Sequence, residues 1–166
     1  SMSFADMPGL MLQPFEIETI MSLVSVNTEK NYFVGGFSDN FIPLPEVSKG
    51  ARIQNTIEKM IKHGFGGTNA ASAYDYAIGK NIYTDVFVFW TDNMNWGGSR
   101  RGSQPSSMLK KYREKINPNA KAIYVTLVPY GDNISLADPK DSNSYDIAGF
   151  SSQTPKIISM IAEGKI

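Results

Sequence analysis

A chain of 166 residues is one domain long and can bury a core of its own. Apolar residues at 42% and charged residues at 19% exclude a disordered chain, and no apolar run approaches the roughly 18 residues of a transmembrane helix. Lys plus Arg equals Asp plus Glu, 16 against 16, so no global field draws the chain to nucleic acid and any RNA contact must come from a local patch.

Ser1 to Gln13 reads as loop, with Pro8-Gly9 as a turn and no basic or apolar signal-peptide region at its start. Pro14 suits the first position of a helix, in which Ile17, Ile20, Met21 and Val24 recur as one buried stripe and polar Asn27-Thr28-Glu29-Lys30 ends the run. Asn31 to Phe37 is the first predicted strand. Its paired Gly35-Gly36 calls for close approach of another backbone or side chain. Ser38-Asp39-Asn40 turns the chain into a short return strand over Phe41 to Pro45, which its two prolines confine to a sheet edge. A helix over Ala51 to His63 places Ile53, Ile57, Met60 and Ile61 on one face. Gly64 to Asn69 is a glycine-rich loop whose Thr68 or Asn69 caps the next helix, Ala70 to Lys80. The small residues of that helix permit close packing on a sheet.

Val86-Phe87-Val88-Phe89-Trp90 is the strongest strand. It is apolar without alternation, the pattern of a parallel strand covered on both faces. It leads through Thr91-Asp92-Asn93 and a Trp96-Gly97-Gly98 loop to a basic helix near Ser106 to Ile116. Ala122 to Val128 is the next buried strand, and Tyr145 to Phe150 a weaker edge strand. Thr154-Pro155 opens the last helix, which carries Ile157, Ile158 and Ile161 and ends at Gly164. Strands alternating with helices predict an α/β fold: an open, mostly parallel twisted sheet with helices on both faces and one antiparallel edge strand. One domain over residues 1–166 is expected.

Ligands of such sheets bind at the carboxyl ends of the strands. Asp92 follows the most buried strand, and Thr68 lies in the loop that opens a helix. A carboxylate and a hydroxyl are hard oxygen ligands of the kind magnesium takes; a turn residue and a helix cap are the competing readings. Arg100, Arg101, Lys110, Lys111, Arg113, Lys115 and Lys121 fall within one short stretch. They offer phosphate contacts, with Trp96 as a stacking partner for a base, against the alternative of a solvated helix face. No cysteine is present, which removes disulfides, thiolate zinc sites and cysteine nucleophiles together and fits a reducing compartment. His63 has no Ser or Asp partner at a recognisable spacing and reads as a helix-end polar residue. Gly64-Phe65-Gly66-Gly67-Thr68 lacks the Gly-Lys-Ser/Thr ending of a phosphate-binding loop. Asp132 and Asp138-Pro139-Lys140-Asp141 read as turns, and Phe87, Phe89 and Trp90 as core.

Four segments, in order, resemble the von Willebrand factor A-like domain of the Ro (SS-A) autoantigen, a TROVE-domain ribonucleoprotein family. They are Thr28-Glu29-Lys30 leading to Phe37-Ser38-Asp39; Gly66-Gly67-Thr68; Asp85 to Phe89 leading to Thr91-Asp92-Asn93; and Ala137-Asp138-Pro139 leading to Asp146 and Gly149-Phe150. The resemblance covers nearly the whole chain and implies the C-terminal part of a longer protein. It implies a metal ion-dependent adhesion site for a divalent cation such as magnesium, held by Ser1, Thr68 and Asp92. The Asp and first Ser of that family's Asp-x-Ser-x-Ser segment, and the central first strand before it, have no counterpart here, which leaves a slot open to strand exchange between copies. It further implies a cytoplasmic or nuclear protein that binds small non-coding or misfolded RNA, and an acidic protein ligand on the metal. Asn93, Trp96, Arg100, Arg101, Lys110 and Lys111 are then the candidate RNA or partner contacts. A non-enzymatic binding module is the reading that follows. Its rivals are a structural domain that closes a larger ring without metal and a magnesium-dependent hydrolase, for which the sequence nominates neither a second carboxylate nor a base.

Overall fold

Residues 12–64, 69–91, 104–127, 136–149 and 151–166 are described by a computed structural model. They form α1 (Pro14–Thr28), β1 (Gly35–Phe37), β2 (Phe41–Pro43), α2 (Ile53–Ile61), α3 (Ala71–Gly79), β3 (Val86–Thr91), α4 (Pro105–Lys115), β4 (Lys121–Thr126), β5 (Ser144–Ala148) and α5 (Thr154–Ala162). No described helix is long and apolar enough to cross a membrane.

β4 is the middle of a parallel sheet. It pairs with β3 from Val86↔Lys121 to Thr91↔Thr126 and with β5 from Ala122↔Ser144 to Thr126↔Ala148. Alternate side chains of a strand leave by opposite faces, and here both faces are covered. Phe87, Phe89, Ala122 and Tyr124 pack among Tyr74, Met108, Leu109 and Tyr112 of α3 and α4. Val86, Val88, Trp90, Ile123 and Val125 pack against Ile17 and Met21 of α1 and Ile158 and Ile161 of α5. Two-sided burial is why these strands carry no polar alternation. Each fully buried aliphatic or aromatic side chain there contributes about 1.5–3 kcal/mol.

The single sheet expected from the alternation is two sheets among the described residues. β1 and β2 form a separate antiparallel ribbon, Gly35↔Pro43 to Phe37↔Phe41. No described ladder joins the ribbon to β3. Side chains tie them instead, with the Phe37 ring meeting Phe89 edge-on at 5.9 Å. The first strand is also shorter than predicted: its ladder begins at Gly35, and Tyr32 and Phe33 lie exposed ahead of it. The predicted close approach is real at Gly35, where an added Cβ would stand 2.0 Å from Cζ of Phe41.

Two helical faces differ from their predicted stripes. In α1, Ile17 and Met21 are buried as read, whereas Val24 is exposed and Ile20 only half-buried. Leu23 and Val26 take the buried places, against Leu44, Val47 and Met60. The cause is cover on two sides, by the sheet and by α2. Fully buried Thr19 serves the second side, its hydroxyl bonded to the Phe15 carbonyl at 2.8 Å and set 3.1 Å from the Met60 sulfur. α1 also runs on through Asn27 and Thr28, whose side chains turn back to the Leu23 and Ser25 carbonyls. In α2, Thr56 and Met60 face α1, and Ile53 and Ile61 point to solvent.

Candidate functional site

The carboxyl ends of the parallel strands are polar and buried. Thr91 closes β3 and pairs with Thr126 of β4, both largely removed from solvent. The Leu127 N–H donates to the Thr91 carbonyl and the Gly149 N–H to the Thr126 carbonyl, each at 2.8 Å. Gly149 does so at φ +80°, a left-handed conformation that favours glycine. The Asp146 carboxylate on β5 accepts the N–H groups of Leu136 and Ala137 at 3.2 to 3.3 Å. That contact is the physical link between the Ala137-Asp138-Pro139 segment and Asp146.

Asn69, just ahead of α3, ties that helix to the turn that follows β1. Its N–H donates to the Ser38 carbonyl at 3.0 Å, and its own carbonyl accepts the Ser72 hydroxyl at 2.7 Å. It does not cap α3 through its side chain. Its Oδ1 is instead buried and has no hydrogen-bond partner among the described residues, a costly arrangement that favours any donor or cation brought to it.

Of the predicted site residues, Ser1, Thr68, Asp92, Asn93, Trp96, Arg100 and Arg101 lie outside the described residues. So do Asp132 and the core of the Gly64-to-Thr68 loop. Among the described residues no three of His, Asp or Glu gather where a metal ion would be held. The implied set of Ser1, Thr68 and Asp92 is oxygen-only, as is the orphaned Asn69 Oδ1 beside Thr68 in sequence. It fits magnesium in kind, and its single carboxylate falls short of the charge that tight binding needs.

The basic stretch divides once it is placed. Lys110 and Lys111 are exposed on α4, whose Met108, Leu109 and Tyr112 face the core. Lys111 stands 3.9 Å from Asp75 of α3, a solvent-exposed pair worth about 0.2–1 kcal/mol. Arg113 is not a free surface cation. Its guanidinium donates to the Ala120 carbonyl at 2.8 Å, to the Asn143 carbonyl at 3.2 Å and to Asp141, clipping α4 to the approaches of β4 and β5. Lys121 is likewise engaged: its ammonium reaches the Ile161 carbonyl at 2.6 Å, where the partial negative charge of a helix end favours it. His63 pairs with Glu46 at 2.6 Å, consistent with a helix-end polar role. Asp138 and Asp141 cap their own turn, accepting the N–H groups of Lys140 and Asn143.

Two features escaped the sequence reading. Tyr74 and Tyr124 join hydroxyl to hydroxyl at 2.8 Å inside the aromatic core. Burial raises both above the ordinary tyrosine value; the Tyr124 hydroxyl adds to the rise at Tyr74, while the bond with Tyr74 partly offsets it at Tyr124. Phe33, Phe41 and Tyr76 form a ring stack at the surface. The adjacent pair Tyr32-Phe33 is the available signal, and its place in the apolar run to Phe37 reads as strand.

The RNA-binding protein RO60 of Deinococcus radiodurans is 29% identical over 167 residues, covering 100% of this chain and 30% of that protein. The protein of the same name from Caenorhabditis elegans is 33% identical over 152 residues, covering 91% of this chain and 23% of that protein. The crystal structure of the Deinococcus radiodurans RO (RSR) protein superposes with a TM-score of 0.84 at 29% identity, over 100% of this chain and 32% of that one. The chain therefore spans under a third of the length of these relatives. The Ro60 vWA domain model matches residues 1–162, and on that match over nearly its whole length the chain belongs to the Ro60 vWA domain family.

Proposed function

We propose that this chain is the binding module of a Ro-type ribonucleoprotein, contributing a surface for RNA rather than catalysis. The observation that carries this reading is the family match over residues 1–162, joined to relatives named for RNA binding. Small non-coding or misfolded RNA is the ligand class proposed for the whole protein. With zero formal net charge, affinity must come from a local cationic face. Lys110 and Lys111 on α4 supply the described part of that face, and Asn93, Trp96, Arg100 and Arg101 are proposed to extend it. The test is binding of a labelled single-stranded RNA across a salt series, with the Lys110→Gln/Lys111→Gln variant beside the parent chain. Weaker binding and a log–log salt slope reduced by up to about two are expected. A parent chain with no RNA affinity sinks the reading and leaves the structural, ring-closing role.

A divalent cation is proposed beside Thr68 and Asp92, with Ser1 as a third oxygen ligand. When bound, such an ion would offer an open coordination position to an acidic group of a protein ligand. The buried, unpartnered Asn69 Oδ1 next to Thr68 supports the placement. Calorimetric titration with magnesium and with manganese should give weak binding that Asp92→Ala removes. Equal heats in the two chains would dismiss Asp92 as a ligand. A hydrolase is less favoured, since the sequence nominates neither a second carboxylate nor a general base to accompany Asp92.

A further inference from the structure

Between α1 and the β1–β2 ribbon, the chain holds an aromatic ring that the core does not claim. Phe33 is 54% exposed. Its ring nonetheless has a defined seat, with its centroid 5.8 Å from Tyr76 and 6.0 Å from Phe41 at interplanar angles of 21° and 22°. Phe41 and Tyr76 meet at 4.8 Å. The seat depends on Gly35. Without a Cβ there, the Phe41 ring lies across the ribbon, and any side chain at that position would collide with it. Phe41 is itself packed against the larger core cluster, so the outer ring rests on a ring tied to the core.

A cation follows one ring of the stack by a helical turn. Lys80 follows Tyr76 by one turn at the end of α3, which puts the two on one side of the helix, and its N–H donates to the Tyr76 carbonyl at 3.0 Å. Lys80 is exposed and enters no ion pair among the described residues. Lys30, also exposed, stands three residues ahead of Phe33. The exposed Ile53 and Ile61 of α2 offer apolar surface with no ring face, and so lack this combination.

We propose that Phe33, seated on Phe41 and Tyr76 with Lys80 one helical turn beyond Tyr76, is a stacking platform for a base of single-stranded RNA. A half-exposed ring face takes the π-face of any base, and a lysine one turn away takes the adjoining phosphate. The proposal rests on the RNA-binding reading and adds a surface distinct from Lys110 and Lys111 on α4.

The experiment is anisotropy of a labelled single-stranded RNA of about ten nucleotides, against the same sequence as a duplex, with circular dichroism confirming that each variant is folded. Phe33→Ala and Phe33→Leu should each bind the single strand roughly tenfold more weakly. Leu keeps apolar cover over Phe41 and Tyr76 and removes only the ring. Phe33→Tyr should bind as the parent does, and Lys80→Gln should lower the salt slope by about one. Duplex affinity should be indifferent to all the Phe33 changes. If Phe33→Leu retains parental affinity while Lys110→Gln/Lys111→Gln loses it, the platform is refuted and the RNA reading survives. If the parent binds no RNA, both fall. If Phe33→Leu leaves RNA affinity alone and changes sedimentation instead, the rings cover a protein surface and the platform is again refuted.

Discussion

Tyr74 and Tyr124 place two phenol hydroxyls at 2.8 Å in a site built from Phe87, Phe89 and Tyr112. Each hydroxyl is the other's partner, so neither is left costly and unpaired. Burial, which disfavours phenolate, is the first cause of the raised value on both. The sign of the consequence follows from proton counting. Above pH of about 10 the unfolded chain loses these two protons and the folded chain keeps them, so the unfolded state binds fewer protons and stability falls as pH rises. Below that value the pair's contribution is fully present. Urea unfolding between about pH 8 and 11 should show a flat midpoint that then declines. The Tyr74→Phe/Tyr124→Phe variant should decline less steeply, by up to two protons' worth of slope. Parallel curves for the two chains would assign the alkaline loss to other groups.

At the scale of elements, legibility tracked how many neighbours an element has. β3 and β4 were plain in the sequence because two-sided burial writes an unbroken apolar run, and α5 because Pro155 and Gly164 mark its ends, the glycine at φ +70°. α1 misled because it is covered from two directions. A single stripe from Ile17 to Val24 was the natural reading, yet Leu23 and Val26 carry the second contact. α4 shows the same limit for charge. In sequence Arg113 and Lys121 look like Lys110 and Lys111. Their carbonyl targets at Ala120, Asn143 and Ile161 exist only after β4, β5 and α5 have assembled. Gly35 was read as a point of close approach, but nothing local names Phe41 as the ring that comes near. Thr68 and Asp92 were nominated as oxygen ligands from their places at a helix-opening loop and a strand end, and both lie outside the described residues. What the sequence could not give was Asn69, whose significance comes from an unsatisfied oxygen rather than from its residue type.

The whole molecule is held unevenly. Ile123, Tyr124 and Val125 are completely buried, and β4 carries described ladders on both edges. The two main clusters meet through it, one on each face of the sheet. The β1–β2 ribbon has a ladder of three paired positions and, among the described residues, shares no ladder with the sheet and meets it through side chains such as Phe37 on Phe89. Local opening draws first on regions with short ladders and little buried backbone. The ribbon should therefore open without the sheet. Native-state amide exchange would show it: the slowest amides in β4, at Ile123 to Val125, exchanging only by global unfolding, and the ribbon amides exchanging by a lower-energy route insensitive to low denaturant. Equal protection in both, rising and falling together with denaturant, would mean that the Phe37–Phe89 contact and the Asn69–Ser38 bond couple ribbon and sheet into one unit. The separated outcome has a consequence for the surface stack. Phe33 is seated on Phe41 of the ribbon and Tyr76 of α3, so opening of the ribbon would dismantle the platform while leaving the sheet intact.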